Sequence, residues 1–305
     1  MNLHIVDFED VRRDLDTGVP TNFNTAFHKA AEAPDLPIPT EIPTSFDRWL
    51  PLIMRTRGLP PAALQVRLLV EAAGASIHTR VMNRVYEEDL RDSVYPAFER
   101  LKFSQEGLFT RLGACSPKDG TQTIPGQMSL HSIDDIILRL TTSTRATNTF
   151  NNMLNHDAQE MAMFFLPFDS RMRTENEYRV FCAPDSLRIT AVSQYKWHKP
   201  WMFAGKDSHE REAIARRVLH HIEAVHTKII GDFQDLGSNE NDDRLRIQGF
   251  TFDVLYDEET DRGELIELNT FGVRSACGSC LFQWVEDRAL LYGEESEVVQ
   301  FRVAV

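Results

Sequence analysis

The stretch "FTFDVLYDEETDRGELIELNTFG", residues 250–272, decides how this chain is read. Two runs rich in β-branched and aromatic residues, roughly 246–256 and 264–269, flank an acidic turn ending in Gly263, the pattern of an antiparallel hairpin. In the second run Leu265, Ile266 and Leu268 surround a carboxylate, Glu267, and Asn269 follows. A buried, unpaired carboxylate costs several kcal/mol, so Glu267 belongs either on a solvated face or beside a cation. Residues two apart on a strand share a face, so Glu267 and Asn269 point together, and a hairpin partner brings Asp253 beside them. Three oxygen-bearing side chains then converge. Such a set suits Mg²⁺, a hard cation that keeps several waters and is completed by nucleotide phosphates. A solvated polar face alternates in the same way, and the spacing leaves both readings open.

Around this hairpin the chain supplies a sizeable core: 305 residues, 42% hydrophobic, enough for one large domain or two closely packed ones. No 18-residue apolar run occurs, and "MNLHIVDFEDVRRDLD" is charged within its first ten residues, so neither a membrane helix nor a secretory signal is expected and the cytoplasm is the expected compartment. Cys115, Cys182, Cys277 and Cys280 are too few and scattered for a disulfide framework. Cys277 and Cys280 have the C-x-x-C spacing without a second Cys/His pair, which reads as ordinary loop cysteines. The net charge of −13 argues against nucleic acid and anionic membranes as partners.

Upstream, "EYRVFCA" (177–183) and "LRITAVSQ" (187–194) alternate around the turn "PDS" and form a second antiparallel hairpin, with Glu177, Arg179, Gln194 and Lys196 on a polar face. "MAMFFL" (161–166) is a further strand. A long helix over 208–236 is capped by Asp207 with Glu210, and the polar run "LGSNENDD" after it reads as a mobile loop. "SIDDIILRLTTSTRA" starts a helix at Ser132, continuing as helix or strand. Helical spacing over 60–104 gives two stripes, Leu64, Leu68, Leu69 and Ala72, then Val94, Phe98 and Leu101. Proline-rich 32–60 reads as an irregular arm anchored by Phe46, Trp49 and Leu50. A phosphate site needs positive charge, and "LFTRLGACSPKDG" (108–120) offers Arg111 and Lys118 around a turn of small residues, which also reads as a plain surface turn.

Together "IPTSFDRWL", "SPKDG", "MSLHSIDDIILRL", "ENEYRVFC", "ITAVSQ", "FTFDVLY", "IELNTFG" and "CLFQWVEDRALL" resemble, in order and spacing, the ATP-grasp proteins of the cell-division-cycle protein 123 family. The resemblance implies an α+β ATP-grasp fold: residues 1–160 as arm and smaller subdomain, 161–305 as the C-terminal subdomain, and the two enclosing a cleft for ATP and Mg²⁺. Carried over by position, Arg111 and Lys118 reach the phosphates and Phe165 and Leu166, in "MFFLPF", lie beside adenine. Glu177, Arg179 and Gln194 line the cleft, Asp253, Glu267 and Asn269 hold the metal, and Arg179 and Lys118 are the expected catalytic cations.

Departures from the family pattern concern Glu267 and Thr270 where aspartate and proline are usual, Arg111 where lysine is usual, and "YKWHKPW" after Gln194 in place of arginine and aspartate. The rebuilt rim, with Lys196, His198 and Lys199 beside Trp197 and Trp201, reads as a lip for a small carboxylate. It tilts the expectation toward an ATP-dependent carboxylate–amine ligase acting through an acyl phosphate. The alternative implied by the resemblance is an assembly chaperone that binds the γ subunit of translation initiation factor 2, and "CLFQWVEDRALL" reads as its retained partner surface.

Overall fold

Residues 1–54, 61–233 and 237–305 are described by a computed structural model of the chain. In chain order the elements are β1 (Asn2–Val6), α1 (Phe8–Leu15), α2 (Phe46–Ile53), β2 (Ala62–Gln65), α3 (Val66–Ser76), α4 (Glu87–Ser93), β3 (Leu108–Leu112), α5 (Ile133–Thr142), α6 (Thr144–Asn155) and β4 (Glu160–Pro167), followed by β5 (Glu177–Cys182), β6 (Ile189–Gln194), α7 (Ser208–Gly231), α8 (Glu240–Gln248), β7 (Phe250–Asp257), β8 (Arg262–Thr270), α9 (Arg288–Leu291) and β9 (Gln300–Ala304). They form two compact units, Met54–Ser170 and a discontinuous one of Met1–Ile53 with Arg171–Val305. This partition differs from the expected break at residue 160. The N-terminal segment joins the C-terminal unit because β1 pairs in parallel with β9, and β4 stays with the smaller unit because it is the middle strand of β2-β4-β3.

The larger unit is built on a six-stranded mixed sheet ordered β1-β9-β6-β5-β7-β8. Both expected hairpins are present, β5 with β6 and β7 with β8, and β5 joins them antiparallel to β7. One face carries Tyr178, Val180, Phe250, Phe252, Val254, Leu265 and Leu268, which pack against Ile214, Val218, Ile222, Val225 and Ile229 of α7. Those α7 residues recur every three or four positions, and the Asp207–Glu210 capping box satisfies the helix start as the sequence implies. The other face is covered by Phe271, Val273, Phe282 and Trp284 of the segment after β8. The smaller unit packs α3, α5 and α6 on the three-stranded sheet through Leu69, Ala72, Ile136, Ile137, Leu140, Phe150, Met163 and Phe165.

Four local expectations are corrected. Leu64 lies on β2, with Leu68, Leu69 and Ala72 on α3. The second stripe leaves its helix at Ser93, because Pro96 disfavours helical geometry before it; Val94 and Phe98 are buried through a short 3-10 turn instead. The arm contains a helix, α2, whose Phe46 and Trp49 are buried while Leu50 is half-buried. The acidic run after α7 opens α8: Asn239 caps it, Glu240, Asp242 and Asp243 complement its N-terminal dipole, and buried Asp242 pairs with Arg48 at 2.7 Å. The "SIDDIILRL" segment is helical and continues into a second helix capped by Ser143.

Candidate functional site

The puzzle of "LIELN" is resolved by a β-bulge. Asp253 pairs with Glu267 and Val254 with Leu265, so Ile266 is an extra residue on β8. Strict alternation would put Leu265 and Glu267 on one face. With Ile266 inserted, Leu265 and Leu268 both enter the α7 core, and Glu267 and Asn269 turn to the opposite face beside Asp253 and Thr251. Directly paired residues share a face, and one polar row crosses all six strands: His4, Arg302, Ser193, Arg179, Asp253, Glu267.

Within this row Arg179 is the centre. It is 7% exposed; its Nε and Nη2 donate to the two oxygens of Asp253 at 2.9 and 2.7 Å, and its Nη1 donates to the Gly278 carbonyl at 2.8 Å. The guanidinium stacks over Tyr195, 4.9 Å from the ring centroid. Burial is the largest single influence and works against its charge, but Asp253 together with Cys277 and Cys280 outweighs it and raises the guanidinium's pKa. Asn269 Nδ2 donates to Asp253 at 3.2 Å, and Glu267 is half-buried across from it. Glu177 is buried on β5. The face is therefore neither a solvated ladder nor an apolar surface: two carboxylates stand side by side across the β7–β8 ladder, and Arg179 pairs with Asp253.

Among the described residues no group of three or more His, Cys, Asp or Glu side chains forms a metal cluster. The expected set consists of two carboxylates and an amide. Its chemistry fits Mg²⁺: the donors are hard oxygens on adjacent strands, and like charges facing each other across a ladder favour a cation beside them. Asp253 enters such a set with both oxygens already accepting from Arg179, leaving Glu267 the more accessible carboxylate.

The remaining expected residues separate into those with available side chains and those already committed. Gln194 is 3% exposed and fully employed: its Nε2 donates to the carbonyls of Lys196 and Lys199 at 3.0 and 2.7 Å, and its Oε1 accepts from Ala304 N at 2.9 Å. In the smaller unit Phe165 packs edge-on to Phe98 inside the core, whereas half-buried Leu166 lies on the other face of the sheet with Arg111. Arg111 is buried, its Nε donating to Leu112 O at 3.3 Å. Lys118 is exposed in the turn Pro117–Gly120, which Asp119 anchors by accepting from Ser143 Oγ and from Arg145 N at the start of α6.

The rim after Gln194 is mostly packing. Lys196 pairs with Glu175, Trp201 is buried with its Nε1 donating to Tyr178 Oη at 2.9 Å, and Trp197 lies against a small core; His198 and Lys199 are exposed. Burial and the neighbouring Lys196 and Lys199 lower the His198 pKa. Of the lip expected for a carboxylate substrate, Lys196 and Trp201 are thus engaged within the chain, while His198 and Lys199 stay exposed. In "CLFQWVEDRALL", read as a partner surface, Leu281, Phe282, Trp284 and Leu291 are buried, Gln283, Val285, Asp287 and Arg288 are half-buried and Glu286 is exposed. Cys277 and Cys280 are free and buried; burial raises both thiols against the opposing charge of Arg179, Cys280 up to about 12.

The sequence pattern of the D123 family matches residues 89–304, more than two thirds of the chain. The chain belongs to the D123 family. Two solved structures are similar: Cdc123 from Schizosaccharomyces pombe, at 15% identity over 87% of this chain and 96% of that one with a TM-score of 0.56, and a C-terminally truncated form of it, at 18% identity over 92% and 100% with the same TM-score. No curated protein matches. The D123 match includes β3, β4 and the whole sheet apart from β1, and so every expected site residue. The expected lean toward a ligase finds no support in the family assignment.

Proposed function

We propose that this D123 protein is an assembly chaperone for translation initiation factor 2, binding its γ subunit and using Mg²⁺–ATP held in an ATP-grasp site. The observation that carries the reading is family membership over residues 89–304 together with structural likeness to Cdc123 along nearly its entire length. Glu267, Asn269 and Asp253 of the larger unit would hold the metal. Bound Mg²⁺ would neutralise phosphate charge and fix the nucleotide's orientation. Arg179 holds Asp253 aimed, and Asn269 bonds the same carboxylate, so these two donors are set before a ligand arrives.

The test pairs capture with turnover. Tagged protein should retain the purified γ subunit in the presence of Mg²⁺–ATP, and Glu267→Gln should reduce Mg²⁺-dependent nucleotide affinity about tenfold while leaving the unfolding temperature within about 2 °C. No capture, together with ADP release stimulated by an amine and a carboxylate, would overturn the chaperone reading in favour of a ligase.

A further inference from the structure

The D123 match begins at residue 89, yet a segment far upstream reaches the candidate site. Asp14, at the end of α1 and 4% exposed, accepts hydrogen bonds from the backbone N–H groups of Thr21, Asn22 and Phe23 at 3.1 Å each, and from the Thr21 and Asn22 side chains. That cradle delivers Asn24 in a left-handed conformation, φ 50°. Asn24 N donates to Cys280 O at 2.6 Å, and its Oδ1 accepts from Cys280 N at 3.2 Å. Thr25 continues the contact: its carbonyl accepts from Ser279 N at 3.2 Å, and its Oγ1 accepts from Trp284 N at 3.1 Å. Immediately before these anchors lies Gly278, whose carbonyl accepts from Arg179 Nη1. A Cβ on Gly278 would stand 2.3 Å from Asn24 Oδ1, so a larger residue there would have to displace the Asn24 side chain.

We infer that Asn24 is a positioning residue for the candidate site: it clamps the 277–280 loop so that the Gly278 carbonyl holds Arg179 in register with Asp253. The functional part of this inference rests on the proposed nucleotide site. The geometric part does not. Arg179 has a planar fork with fixed donor directions; two of its donors serve Asp253, and the third needs an acceptor whose position a surface loop does not set by itself. Asn24 supplies that position through two bonds to one residue. Asparagine suits the place twice, since it tolerates the left-handed region and its side-chain oxygen accepts.

The experiment uses the full chain and reads the loop directly. Maleimide labelling at pH 8, followed by site-resolved mass spectrometry, should find Cys277 and Cys280 slow in the wild type. Asn24→Gly, which keeps the left-handed backbone and removes the acceptor, should speed labelling of both about fivefold, the size expected for one lost hydrogen bond. Cys182, fully buried under α7, reports global opening and should not change. Asn24→Asp, which retains the oxygen, should restore slow labelling. Gly278→Ala should speed labelling in the wild type and add little in the Asn24→Gly background, because the atom it strikes is gone. Unchanged Cys277 and Cys280 in Asn24→Gly, or an equal rise at Cys182, would overturn the clamp. A nucleotide arm tests the functional part: Asn24→Gly should weaken Mg²⁺–ATP binding, and Asn24→Asp should recover it. Equal affinity of the wild type and Asn24→Gly would overturn the role in the site. Absence of binding by the wild type itself would remove the nucleotide reading, with the labelling result still deciding the clamp.

Discussion

Asp253 and Arg179 are each other's principal counter-charge inside the sheet, and neither is replaceable alone. Removing one member of a buried pair leaves the other charge without compensation. Asp253→Asn should therefore cost about 3 kcal/mol of stability, seen as a lower urea midpoint with an unchanged slope. A loss below about 1 kcal/mol would mean that the guanidinium finds another acceptor. This cost separates Asp253 from Glu267, which is half-buried and whose substitution should act on ligand affinity instead. That Glu267 and Asn269 share a face was legible in the sequence from strand alternation, whereas Asp253 joins them only through the bulge at Ile266, since an unbroken register would set it against Ile266. The bond from Arg179 to Asp253 was not, because it depends on the register of β5 against β7, two strands separated by a helix pair and about 70 residues of sequence. Nor was Asn24 visible, since nothing local marks a residue whose partner lies 256 positions away.

At the scale of elements, the end of β6 and the helix α7 make distinct predictions. Gln194 closes the 195–199 loop and holds β9 through three hydrogen bonds, so Gln194→Ala should lower stability by about 2 kcal/mol while nucleotide affinity stays within about twofold. Isothermal titration beside thermal melts would separate the two effects; a large affinity loss without destabilisation would return Gln194 to the site. On α7, His226 stacks on Phe250 and Phe252 with its Nε2–H donating to Leu187 O at 2.8 Å, and burial lowers its pKa below 6.5. The unfolded chain then takes up a proton near pH 6.5 that the folded chain refuses, so stability is full above that pH and declines as pH falls. In His226→Gln the fall in unfolding temperature between pH 7 and pH 5.5 should shrink; an identical pH profile would assign it to other groups. Element types were read well where periodicity was long, as in α7, or alternation clean, as in β5 and β6. Errors fell where one residue overrode the pattern: Pro96 ended a helix early, and Asn239 began one in what looked like loop.

For the whole molecule, each unit has its own core and should respond separately to core damage. Phe165→Ala, deep in the smaller unit, should cost about 3 to 5 kcal/mol there. Hydrogen exchange should then accelerate in α3, α5 and α6 and stay unchanged in α7 and β7; uniform acceleration would show that the two units unfold as one. The α+β class and strands β4 to β8 were within reach of the sequence, whereas β1, β2, β3, β9 and the partition were not, because β1 is short and carries no signal of its distant partner.

That pairing of β1 with β9 has a consequence for synthesis. The smaller unit, Met54–Ser170, has all of its strands once β4 has left the ribosome and can close while translation continues. The first strand of the larger unit must wait for β9, some 300 residues later, and until then the nascent sheet lacks its edge. A ribosome stalled before β9 would carry one finished unit on a tether and, around it, the two ends of another that cannot yet meet.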